Sequence, residues 1–155
     1  MAHQLWLLRH AEAVPHGIKP DADRELTERG RRQADAAGVA LAALGETFAA
    51  CYTSPKVRAV ETAALACVHL DLEPVVETSL ANGFSRVDAL ALLEAHEADA
   101  HVLVVGHEPS FSQVVHDCTG ARVDFKKGGV AAIDSPHTHG HLIALLRPRE
   151  LRAMR

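Results

Sequence analysis

The sequence predicts a single-domain three-layer α/β/α fold, with a mostly parallel central sheet and a C-terminal hairpin-like strand pair. Three observations carry that reading. Short apolar runs alternate with segments of helical periodicity through the first 120 or so positions. The alternation then gives way to two apolar runs around a single loop. The 155 residues, 48% of them apolar, suit one domain spanning 1–155 with a core that needs no staples.

Leu5-Trp6-Leu7-Leu8 is a buried strand by its compact apolar character. A loop rich in Pro, Gly, Asp and His follows, from about Ala11 to Leu26. Thr27 is placed to cap a helix running to about Leu44, with Ala34, Ala37, Leu41 and Leu44 on one side and Gly45 to end it. Phe48 to Thr53 is a second strand. Ser54-Pro55 then predicts a helix start, with Ser as cap and Pro in the first helical position. Val57, Val60, Ala64 and Val68 are its expected buried stripe. Glu73 to Glu77 is a third strand, and a helix over Arg86 to Ala95 is expected to turn Val87, Leu90 and Leu93 or Ala91 inward. His101 to Val105 is the clearest buried strand. Pro109-Ser110 opens a helix carrying Phe111, Val114, Val115 and Cys118, which stops near Gly120. Val130 to Ile133 and Leu142 to Leu146 form the terminal strand pair, and Pro148 to Arg155 a short surface helix.

Composition narrows the function. A formal net charge of −4 argues against a nucleic-acid partner, so any anion site is local. No run approaches the roughly 20 apolar residues of a membrane span, and no signal peptide is visible, so a cytoplasmic location without a membrane partner is expected. Cys51, Cys67 and Cys118 are too few and too scattered for a disulfide framework or a zinc knuckle, and are expected to be buried thiols. His137, His139 and His141 sit in the hairpin loop, where alternate residues need not share a face. No metal and no cofactor are expected.

Three strand ends deliver polar groups into loops: Arg9-His10-Ala11-Glu12, Thr53-Ser54-Pro55 with Arg58 beyond, and Gly106-His107-Glu108-Pro109. Ligands of open α/β sheets bind beyond such carboxyl ends, so Arg9, His10, Arg58 and His107 are expected to converge. Two guanidinium groups grip phosphate oxygens in pairs. One imidazole can attack phosphorus, while a second, protonated, holds an equatorial oxygen. Residue types alone leave open which histidine attacks. A cation in the first turn of a helix, as at Arg58, is unfavourable unless an anion lies nearby.

The order of Arg9-His10-Ala11-Glu12, Leu26-Thr27-Glu28-Arg29-Gly30, Ser54-Pro55 through Arg58-Ala59 to Glu61-Thr62-Ala63, and Gly106-His107 resembles the histidine phosphatase superfamily over nearly the whole chain. The short length and Gly106-His107-Glu108-Pro109 look most like its SixA-type phosphohistidine phosphatase branch. The resemblance implies that His10 is transiently phosphorylated and that Arg9, Arg58 and His107 form the phosphate pocket. It implies metal-independent hydrolysis of a phosphorylated protein, bearing phosphohistidine, or of a small phosphorylated molecule, with phosphate ion released.

Two departures from the family pattern matter. Ala11 stands where Gly is usual, so this position is expected not to need positive φ. Leu80-Ala81-Asn82-Gly83 stands where many members carry a general acid, and Asn82 cannot act as one. Glu12, Glu77 and Asp88 remain candidate substitutes. Without an acid, an alkoxide leaves poorly, whereas a phosphohistidine already protonated on its other ring nitrogen expels neutral imidazole. The competing readings are a small-molecule phosphomonoesterase on the same fold and a non-catalytic module that binds phosphorylated ligands. A mutase would need a lid-forming insertion that the chain does not show.

Overall fold

The computed structural model describes residues 2–154. Its strands are β1 (Gln4–Arg9), β2 (Ala50–Thr53), β3 (Pro74–Val76), β4 (His101–Gly106), β5 (Val130–Asp134) and β6 (His141–Leu146). Its helices are α1 (Glu28–Ala43), α2 (Val57–Cys67), α3 (Arg86–Glu94), α4 (Ser110–Thr119) and α5 (Pro148–Ala153). The sheet order is β3-β2-β4-β1-β5-β6. The first four strands are parallel, β5 runs antiparallel to β1, and β6 closes the hairpin against β5.

Alternation along β1 builds the two halves of the core. Trp6 and Leu8 pack with Leu41, Ala63 and Leu151 on the α1, α2 and α5 side. Leu5 and Leu7 pack with Leu93, Phe111 and Val114 on the α3 and α4 side. The three cysteines are buried and free, as expected.

Four local expectations are corrected. Helix α2 begins at Val57 with Lys56 in the cap position, so Ser54 is not the cap and Pro55 is not its first helical residue. The stripe of α2 is also displaced. Val57 and Val60 are only partly buried, Ala64 and Val68 face solvent, and Ala59, Thr62, Ala63 and Ala66 form the buried face. The reason is close helix packing: a Cβ at Gly38 of α1 would lie 2.4 Å from the Ala66 carbonyl oxygen, so only small residues fit that seam. In α3, Ala89 and Leu93 are buried, whereas Val87 and Ala91 point outward. There the Ser85–Asp88 capping box fixes the helix phase. Likewise Leu44 lies beyond the end of α1 and is exposed, while Thr27 caps that helix as expected by accepting from Gly30 N.

The sheet register positions the site. Arg9 pairs with Gly106 across β1 and β4, and His10 N donates to the Gly106 carbonyl at 2.9 Å. Ser54 N donates to Val105 O at 3.0 Å. The residues just past β1, β2 and β4 therefore emerge side by side at one edge of the sheet.

Candidate active site

His10 leaves β1 with its ring turned inward and only 6% exposed. Its Nδ1–H donates to the carbonyl of Ala11 at 2.8 Å, which leaves Nε2 with a free lone pair. Burial is the main reason the imidazole resists protonation, and the neighbouring His107, Arg58 and Arg9 add to it; together they bring its pKa down to about 3. At neutral pH His10 is thus a neutral ring of fixed tautomer. Ala11 supports this geometry, since its N–H donates to Thr62 Oγ1 at 3.0 Å while Thr62 donates to Arg58 O at 2.7 Å. Ala11 is not among the residues of positive φ, so the absence of glycine costs nothing here.

His107 lies with its ring centroid 5.2 Å from that of His10. Its Nε2 is 2.7 Å from Ser54 Oγ. Ser54 Oγ also accepts from Lys56 N at 3.2 Å, so its own proton is directed to His107. That relay places the remaining ring proton on Nδ1, a buried atom with no protein partner. Burial, then the charges of Arg58 and Lys56, lower the His107 pKa to about 4. The ring expected from sequence to be protonated is therefore neutral in the unliganded site. A phosphate dianion would offset the surrounding cations.

Arg9 donates from Nη1 to Phe125 O at 2.7 Å, and its Nε is buried and unpaired. Arg58 is buried in the first turn of α2, where the expected anion is present: Asp21. Arg58 Nη1 donates to Asp21 O at 2.8 Å and Nη2 to Asp21 Oδ2 at 3.3 Å, while Nε is unpaired. Among the described residues, Arg9, Arg58 and His107 each carry a buried nitrogen without a hydrogen-bond partner, and all three lie close enough to influence the neutral His10 imidazole.

Asp21 belongs to a 3₁₀ turn (Asp21–Asp23) inside the loop read from sequence as irregular. Burial alone would raise its carboxyl, but Arg24, Arg58 and Lys56 hold it down at about 2. Lys56 Nζ lies 3.4 Å from Asp21 Oδ2 and donates to Asn82 Oδ1 at 3.3 Å. A lysine therefore occupies the neighbourhood of the missing acid.

The candidate substitute acids are engaged elsewhere. Glu12 accepts from Thr27 Oγ1 at 2.9 Å and from Arg29 at 3.0 Å. Glu77 caps a 3₁₀ turn through Ser79, and Asp88 completes the capping box of α3 with Ser85. Sequence reading took Ser54 for a cap and passed over Asp21 and Lys56. The Asp21-x-x-Arg24 spacing, three residues before Thr27, is the signal that was there to find. Gly30 is forced by packing, since a Cβ there would lie 2.0 Å from the Glu12 carbonyl oxygen. His137, from the trio in the hairpin loop, pairs with His3 Nδ1 at 2.8 Å.

Residues 5–84 match the family model of the histidine phosphatase superfamily, branch 1. The chain belongs to that superfamily. It is a phosphatase hydrolase acting on phosphorylated substrates. An uncharacterised protein of Picosynechococcus sp. is 33% identical, aligned over 96% of this chain and 98% of that one. Among solved structures, a candidate phosphohistidine phosphatase SixA from Nakamurella multipartitia superposes with a TM-score of 0.79 at 27% identity, covering 96% of this chain and 97% of that chain. A phosphoserine phosphatase from Entamoeba histolytica, solved with 3-phosphoglyceric acid, superposes with a TM-score of 0.73 at 16% identity, covering 96% of this chain and 99% of that chain. The superfamily fold is thus shared across phosphatases named for different substrates. Among the described residues, no helix is long and apolar enough to cross a membrane.

Proposed function

We propose that this phosphatase hydrolyses protein phosphohistidine through a covalent phosphohistidine on its own His10. The observation that carries the reading is the trio of unpaired buried donors around the neutral His10 ring. Arg9 Nε, Arg58 Nε and His107 Nδ1 hold the phosphoryl oxygens, and His10 Nε2 attacks phosphorus. The Ala11 carbonyl keeps the His10 Nδ1 proton in place and stabilises the cationic ring as the P–N bond forms.

The proton balance selects the leaving group. A substrate imidazole protonated on its distal nitrogen departs neutral, and the phosphoryl group moves to His10 with no proton supplied by the enzyme. Water then takes the phosphoryl group as phosphate, and His10 recovers its lone pair. An alkyl phosphate would need a donor. Asn82 has no such proton, and Asp21 stays ionised at neutral pH. The SixA-like structure at 27% identity agrees with this choice, whereas the phosphoserine phosphatase neighbour supports a phosphomonoesterase as the second reading.

The test is to mix the protein with a phosphohistidine peptide, quench within milliseconds to seconds, and map the adduct. A phosphoryl group on His10 that survives base and is lost in acid is expected. A kcat/KM for the peptide above that for a sugar phosphate by about 10²-fold is expected from the missing acid. The reverse ranking would transfer the proposal to the phosphomonoesterase reading.

A further inference from the structure

Beside Arg9 the surface opens into a groove of about 420 Å³, lined by Arg29, Gln33, Lys126, Lys127, Arg147 and Arg149, together with Arg152. Among the described residues Glu12 is the only acidic one in the lining, with Asp124 and Glu150 pairing to Lys126, Arg147 and Arg149 at the margin. Cations thus outnumber acids locally in a chain whose formal net charge is −4. The charge is gathered from the start of α1, the loop before β5 and the start of α5, three places remote in sequence.

The groove is tied to the catalytic strand end. Arg9 lines it and also donates to Phe125 O at 2.7 Å. Gly128 N, next to the two lysines, sits 3.1 Å from Arg9 O and 3.0 Å from His10 O. The Lys126-Lys127 loop is therefore fastened to the backbone that carries the nucleophile.

We propose that this groove docks an acidic segment of the phosphorylated protein substrate, next to its phosphohistidine. This rests on the function proposed above and names the surface that recognises the protein part. Exposure favours an acidic protein surface over a small polyanion. The side chains of Arg29, Lys126, Arg147 and Arg149 are 66%, 55%, 53% and 70% exposed. Such cations steer and hold a broad negative surface, whereas a site for a compact polyphosphate would bury its gripping side chains.

The test uses two phosphohistidine peptides, one flanked by Glu and Asp and one with the matching Gln and Asn. At low salt the acidic peptide is expected to have a kcat/KM higher by about tenfold or more, through KM, with the advantage fading at high ionic strength. Lys127→Glu with Arg149→Glu is expected to abolish the advantage and leave turnover of N-phosphoimidazole unchanged. Lys127→Ala with Arg149→Ala, a gentler change, is expected to reduce it partway. The unphosphorylated acidic peptide is expected to bind the wild type and His10→Ala alike, and not the charge-reversed protein. Equal kcat/KM for the two peptides would overturn the docking surface and leave the phosphohistidine reading intact. Turnover of neither peptide, with phosphoserine hydrolysed, would overturn both. Tight binding of tripolyphosphate in the groove, with no binding of the acidic peptide, would assign it to a small polyanion instead and overturn the proposal.

Discussion

The two sides of the candidate site are built differently. On the phosphate side, His10, His107 and Arg58 are buried, and each is held by named partners: the Ala11 carbonyl, the Ser54 hydroxyl and Asp21. On the mouth side, Lys56, Asn82 and Asp21 meet through contacts of 3.3–3.4 Å, and the Asp21 side chain is 44% exposed. On the proposed function, the first side is preorganised for the phosphoryl group that every phosphatase substrate shares. The second is looser and holds no protonated carboxyl, and on the proposed function it decides which leaving group departs. That proposal separates affinity for phosphoryl groups from choice of substrate in space.

The most severe break falls on the rigid side. His10→Ala is expected to lower kcat by about 10⁴-fold or more while the phosphate site still binds anions, read by steady-state assay and tungstate titration. Turnover within tenfold of wild type would remove His10 from the chemistry. Arg58→Ala is expected to cost about 10²–10³-fold in kcat/KM, because it removes both a donor and the anchor of Asp21. Asn82→Glu sharpens the comparison from the other side. It is expected to raise hydrolysis of alkyl phosphates by about 10- to 10²-fold, with little change for phosphohistidine, in paired kcat/KM measurements. Ser54→Ala unpairs His107 Nε2 inside the protein. A stability loss of about 1–3 kcal/mol is expected in urea unfolding, with a smaller drop in kcat than for Arg58→Ala.

Stability is also expected to depend on pH. His10 and His107 titrate near 3 and 4 when folded, below the ordinary value of about 6.5 in the unfolded chain. The unfolded chain therefore binds protons first as pH falls, and the stability present above about 6.5 is lost progressively toward 4 and 3. Unfolding midpoints measured from pH 7.5 to 4.5 are expected to decline, and His10→Ala to decline less steeply. A slope identical to wild type would show that His10 is not held neutral by the fold.

What sequence revealed divides along the same line. The convergence of Arg9, His10 and His107 was legible because they sit at the ends of strong apolar strands, and strand ends in a parallel sheet share an edge. Arg9, His10 and His107 follow β1 and β4 directly. Arg58 was legible through its odd place in a first turn. Ser54 was misread because a Ser-Pro pair has the same local signature whether it caps a helix or points its hydroxyl at a histidine 53 positions away. Asp21 and Lys56 were missed because Asp21 lies in a loop with no periodicity to place it against the start of α2. The stripe of α2 went wrong for a related reason: apolar spacing reports size and hydrophobicity, whereas the seam at Gly38 and Ala66 is governed by clearance.

The carboxylate of Asp21 seated on Arg58 has one more consequence. The resting protein already carries an anion on the guanidinium, so on the proposed function a phosphate held at the free Nε meets a cation that is partly neutralised rather than a bare positive site. The net gain on binding is smaller than two free arginines would give, for substrate and product alike. On the proposed function that restraint aids turnover, because inorganic phosphate leaves a site whose attraction for it Asp21 has already tempered.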